Sequence, residues 1–96
     1  MDFTAFDLRV GTVVRADQTD DVLRLAIDFG GVEREAEARI TENYGPDDLV
    51  GHQVVAVTNP GGARAGAVVV LAAVSPSEGA VLLRPERPVA DGTQVV

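Results

Sequence analysis

Gly45-Pro46-Asp47-Asp48-Leu49-Val50-Gly51 is the one stretch of this chain that breaks a two-residue hydrophobic alternation. Proline suits the first turn of a helix, where its missing N–H is not needed and its fixed φ is already helical. The two aspartates favour the positive end of the helix dipole, and glycine suits the position just past a helix end. The segment has room for one or two turns only.

Working outward from it, the flanks read as strands. On the N-terminal side, Glu33 to Ile40 places Arg34, Ala36, Ala38 and Ile40 in one phase and Glu33, Glu35, Glu37 and Arg39 in the other. Val22 to Phe29 alternates in the same way, with Leu23, Leu25, Ile27 and Phe29 opposed to Arg24, Ala26 and Asp28. Gly30-Gly31 joins the two as a hairpin turn, since both glycines tolerate positive φ. Asp17-Gln18-Thr19-Asp20-Asp21 reads as a polar turn, and Leu8 to Ala16 as a β-branched strand that Gly11 bends or bulges. On the C-terminal side, Gln53 to Thr58, Val68 to Val74 and Ala80 to Arg84 read as further strands, with the loop Asn59 to Gly66 between the first two. Three strands, a short helical plug and then more strands is the order of an OB-type barrel, whose helix lies between strands 3 and 4. The expectation is an all-β, five-stranded Greek-key barrel with extra C-terminal strands, forming a single domain over residues 1–96.

The 96 residues are 46% hydrophobic and 24% charged, ordinary globular usage that argues against disorder. The chain has no cysteine, which excludes disulfides, thiolate metal sites and cysteine nucleophiles. All eight basic residues are arginine, so Schiff-base chemistry and a phosphate-loop lysine are excluded as well. Fifteen acids give a net charge of -7, which repels polyanions and acidic membranes and favours cationic partners. The acidic start, Met1-Asp2-Phe3-Thr4-Ala5, has no signal-peptide pattern, and no stretch is apolar for long enough to span a bilayer. A cytoplasmic protein without membrane contact is expected.

Little in the chain points to catalysis. His52 is the single histidine and reads as an ordinary residue at the end of the plug. Ser75 and Ser77 share one turn without a nucleophile-elbow pattern. Asp20-Asp21 and Asp47-Asp48 lack calcium-loop spacing. The glycine-rich stretch Gly61 to Gly66 lacks a Lys-Ser/Thr ending and precedes a strand, so it reads as a loop beside a binding face, with Arg64 at its tip. Arg24 and Arg39 fall on the exposed side of the second hairpin, the face through which OB barrels bind. No enzyme, metal or cofactor is expected.

Phe6-Asp7-Leu8-Arg9-Val10-Gly11-Thr12-Val13-Val14 resembles the first strand of the tRNA-binding OB-fold family. Leu25 to Gly30, Ala38 to Thr41, Tyr44 to Gly51, Gln53 to Asn59 and Val81 to Pro85 resemble its later elements in order. The Ile-Asp-Phe-Gly segment is most similar to the CsaA-type branch. That resemblance implies a non-enzymatic, homodimeric module that binds tRNA, or basic and unfolded polypeptide segments in a chaperone role linked to export. A degenerate member acting as a dimeric accessory protein is the alternative. Carried onto this chain, the resemblance puts Arg39, Thr41, Asn59 and Arg64 on or near the binding face, beside Arg24. The chain departs from the family in having Ala65-Gly66-Ala67 where relatives carry a Ser-Glu pair, and in Glu35 and Glu37 on strand 3. Both departures remove polar or basic character from the ligand surface.

Overall fold

A computed structural model describes residues 6–61 and 66–96. Its longest strand, β1 (Leu8–Thr19), is shared by both halves of a curled sheet. Residues 8–12 of β1 pair antiparallel with β4 (Gln53–Val57), and residues 12–19 pair antiparallel with β2 (Val22–Asp28), so Thr12 has partners on both edges. β2 continues into β3 (Glu33–Ala38), and β4 into the two-residue β5 (Val69–Val70), giving the order β3-β2-β1-β4-β5. A parallel bridge between Ala36 and Val68 brings the two ends of that sheet together, which makes it a barrel. β6 (Ala72–Ser75) and β7 (Gly79–Leu82) form a separate hairpin.

Three local readings of the sequence are corrected. The Asp17–Asp21 turn is shorter than expected, because β1 runs on to Thr19 and only Asp20 and Asp21 make the turn, with Asp20 in the left-handed region at φ 53°. Aspartate is among the few side chains that accept that conformation. The bulge in β1 lies at Val14, where the register shifts between Val13 and Arg15, and not at Gly11. Gly11 is needed for close approach instead: a Cβ there would meet Ile27 Cγ2 at 2.6 Å and the Phe29 ring at 2.8 Å. The expected strand Val68–Val74 is divided at Leu71. That residue donates its N–H to Val55 O (2.9 Å) and accepts from Leu83 N (3.0 Å), so it hands the chain from the barrel to the β6–β7 hairpin.

The plug is one 3-10 turn (Pro46–Asp48), the only helical element among the described residues. The Gly45 N–H donates to the Asp48 carboxylate at 2.7 Å, the capping role that the aspartates suggest. A second turn does not form, because Gly51 reverses the chain at φ +87° and at once donates to Val13 O (2.8 Å). Leu49 follows the turn, fully buried, and closes the barrel together with Val13, Leu23, Ile27 and Val54. Burying a leucine of this kind contributes roughly 1.5–3 kcal/mol.

The C-terminal tail pairs back onto β1 within the chain. Gly92 N donates to Val10 O (2.7 Å), Val10 N to Thr93 O (2.9 Å) and Val95 N to Leu8 O (2.8 Å).

Candidate functional site

Because side chains alternate along a strand, the register of β1, β2 and β3 sets two rows across the outer face of the barrel. One row is Arg15, Ala26 and Glu35; the next is Asp17, Arg24 and Glu37. Between them lies a groove of about 410 Å³ lined by those residues, with the exposed Val69 contributing apolar surface beside the buried Leu25, Ala26, Ala36 and Val68.

The arginines of this face are matched by acids. Arg15 reaches Glu33 at 2.6 Å, Arg24 reaches Glu37 at 3.6 Å, and Arg39 contacts both oxygens of Asp21 at 3.0 Å. These pairs are solvent-exposed, so each adds at most about 1 kcal/mol to stability. Their electrostatic consequence is larger. Three guanidiniums (Arg15, Arg24, Arg39) stand among five carboxylates (Asp17, Asp21, Glu33, Glu35, Glu37), and Asp17 and Glu35 have no ion pair among the described residues. Asp28 adds a sixth acid, turned to the Gly30 and Gly31 N–H groups at 2.9 and 2.8 Å.

The residues expected to bind ligand do not all meet. Arg24 and Arg39 share the outer face near the β1–β2 turn, and Thr41 lies beside them, its hydroxyl 3.5 Å from Asp21 O. Asn59 is at the other end of β1, where its side-chain oxygen accepts from Asp7 N at 2.6 Å. Arg64 lies outside the described residues. Arg15, Asp17 and Glu35 line the groove without having stood out as site residues in the sequence, although the alternation of β3 already places Glu35 with Glu37. Arg34 serves the fold instead, donating to Gly66 O (2.6 Å) and Thr58 O (3.0 Å) and so tying β3 to the loop that follows β4.

Asp7, Arg9 and Thr58 form a second polar cluster at the seam between β1 and β4. The Thr58 hydroxyl donates to the Asp7 carboxylate, and Arg9 Nε donates to both its oxygens at 3.0 and 3.1 Å. The Thr58 hydrogen bond, then that of Arg9, holds the Asp7 carboxyl below its usual value. Among the described residues, no group of three or more His, Asp or Glu side chains is placed to hold a metal, and no helix is long and apolar enough to cross a membrane.

The chain is similar in both sequence and fold to proteins of known structure. The chaperone CsaA of Bacillus anthracis is 39% identical, with 98% of this chain and 94% of that one superposed at a TM-score of 0.88. The CsaA chaperone protein of Picrophilus torridus is 29% identical over 98% of this chain and 94% of its own, at a TM-score of 0.82. A methionine–tRNA ligase of Methanococcoides burtonii is 36% identical over 96% of this chain, which spans 15% of the length of that enzyme. No protein-family model matches the chain. The shared barrel and these whole-chain identities place the chain in the CsaA-type family of tRNA-binding OB-fold domains.

Proposed function

We propose that this chain is a non-enzymatic tRNA-binding OB-fold module that works in the cytoplasm as a homodimer. The observation that carries the RNA reading is its likeness, over almost its whole length, to a segment of a methionine–tRNA ligase. Arg24, Arg39 and Thr41, near the β1–β2 turn, are the proposed contacts, together with Asn59 at the other end of β1 and Arg64. The non-enzymatic reading is supported by the chemistry at hand: Ser75 and Ser77 are engaged with Glu78 in the β6–β7 turn rather than with a histidine. The homodimer reading is supported by the exposed apolar residues Val81 and Leu83, which share one face at the end of the β6–β7 hairpin, a surface that a second copy would cover.

A second reading is favoured by the groove itself. Its apolar floor and the unpaired carboxylates of Asp17 and Glu35 suit a basic, extended polypeptide segment better than a polyanion. That is the ligand class of a chaperone acting on export-destined chains.

An anisotropy titration of labelled bulk tRNA across a potassium chloride series, with a basic signal peptide alongside, tests both readings. Binding of tRNA that weakens along a linear log–log salt slope is expected if phosphates are contacted. Absence of tRNA binding at every salt at which the chain stays folded overturns the RNA reading. Peptide binding in that case makes the chaperone reading the leading one, and silence from both leaves an accessory dimeric role.

A further inference from the structure

Among the described residues, five arginines have their guanidiniums engaged: Arg9, Arg15, Arg24 and Arg39 with acids, and Arg34 with backbone carbonyls. The two exceptions are close in sequence. Arg84 has no ion pair or hydrogen bond among the described residues. Arg87 has only a 3.9 Å contact with Glu86, with the two side chains 82% and 91% exposed. Both line a cleft of about 390 Å³, together with His52, Gln53 and Thr12. This cleft shares no lining residue with the groove on the β1–β2–β3 face.

The walls of the cleft are held in place. Gln53 Nε2 donates to Val89 O at 2.6 Å and Gln53 Oε1 accepts from Val89 N at 3.1 Å, a two-way clasp that fixes the end of the 84–89 segment against the start of β4. Pro85 restricts the backbone between the two arginines and Pro88 the backbone just after Arg87, which lowers the backbone entropy lost when the segment is ordered on a ligand. Two acids stand at the cleft: Glu86, which lines it, and Asp91, whose Oδ1 already accepts from Thr12 (2.6 Å) and Gln53 (3.0 Å). A guanidinium fork matches the oxygens of a phosphate and needs no partner exchange when it is not already paired.

We propose that the His52–Arg84–Arg87 cleft binds a phosphate group and, resting on the RNA reading above, that it is where the chain grips the RNA backbone. The phosphate contact is thereby separated from the acidic outer face, where Arg24 and Arg39, already paired with acids, are left to contact parts of the RNA other than its phosphates.

His52 is the chain's single histidine, so its two ring C–H protons give NMR signals that need no assignment among histidines. Inorganic phosphate is titrated against chloride at matched ionic strength. A saturable shift of the His52 ring is expected, weakened at least fivefold in Arg84→Ala/Arg87→Ala, whose backbone spectrum reports that it remains folded. No saturable shift in the unaltered chain, or an unchanged one in the double variant, overturns the phosphate site. In a second arm, labelled bulk tRNA is expected to bind Arg84→Ala/Arg87→Ala about tenfold more weakly, with a salt slope shallower by roughly 1.5–2. If the loss falls on Arg24→Ala/Arg39→Ala instead, the backbone assignment is overturned. A phosphate shift without any tRNA binding overturns the RNA reading and leaves the phosphate site standing.

Discussion

Arg24 and Arg39 on the barrel's outer face, and Arg84 and Arg87 beside the start of β4, are the same residue type in opposite electrostatic states. The first two lie within 3.6 and 3.0 Å of carboxylates, Arg24 within β2 and Arg39 just past the end of β3, where the register of β2 on β3 and the β1–β2 turn dictate the pairing. The other two follow the last strand, in an irregular segment with no facing strand to supply partners. In a chain with a net charge of -7, the number of arginines is a poor guide to where an anion can dock. What matters is which of them the fold leaves uncompensated.

The largest expected effect comes from Gly92→Ala, which disturbs one region and spares the other. Gly92 has φ +90°, and a Cβ there would come within 2.5 Å of Phe29 O. Its peptide group also accepts from Arg9 Nη1 at 3.1 Å, and its neighbour Asp91 is bonded to Thr12 and Gln53 behind the second cleft. The substitution is expected to cost about 2–3 kcal/mol, or roughly 10–20 °C in melting temperature for a domain of this size. Hydrogen exchange should show protection lost first at the Val10 and Val95 amides, which pair with the tail, while the β2–β3 amides stay protected. Uniform loss across both regions would mean that the tail and the barrel unfold as one unit.

How far each region was legible follows from what sets its structure. The outer face is encoded locally: alternation placed Arg24, Arg39 and the three glutamates together, and Gly30-Gly31 marked their turn. Phe29, half-buried, was legible as core for the same reason. The pairing of Arg39 with Asp21 was not legible, because it depends on β1 reaching Thr19 and narrowing the turn to two residues. The second cleft had no periodic signal at all. Its placement rests on Gln53 clasping the backbone of Val89, 36 residues away, and nothing in the spacing of a Gln and a Val announces such a contact. The break at Leu71 was hidden for a related reason, since an unbroken run of apolar residues does not show where a chain changes sheets.

Removing the acids from the first region should make it behave like the second. Asp21→Asn with Glu37→Gln deletes the partners of Arg39 and Arg24 while keeping side-chain shape. If pairing is what silences those arginines, tRNA affinity should rise and the salt slope should steepen by about 1.5–2, one phosphate for each freed guanidinium. Binding of a basic peptide should weaken in the same variant. An unchanged salt slope would show that the outer face is closed to RNA by more than charge.

Acid separates both surfaces from the seam that supports them. The Asp7 carboxyl is held below its ordinary value of 3.8 in the folded chain, chiefly by Thr58 and next by Arg9. Its stabilising contribution is therefore full above pH 3.8 and is lost as pH falls through the lower, folded value. Thr58→Val removes the main cause. It should cost about 1 kcal/mol near neutral pH and reduce the loss of stability on acidification below pH 3.8. Urea midpoints measured at neutral pH and across the acid range check this, and parallel pH curves for the two proteins would show that Asp7 is not linked to folding through Thr58.

The smallest effect expected is the most discriminating for the second region. Glu86 is the one acid lining that cleft, and its 3.9 Å contact with Arg87 is too long and too exposed to contribute measurably to stability. Glu86→Gln should leave stability unchanged within the roughly ±0.5 kcal/mol typical of surface substitutions. Removing its charge should nevertheless strengthen phosphate binding about twofold, the size of a weak, screened Coulomb interaction between exposed groups. A substitution silent in folding yet visible in the His52 titration would tie the charge of the 84–88 segment to anion binding. If the titration is also silent, Glu86 is too far from the bound phosphate to matter, and the grip rests on Arg84 on the other side of Pro85.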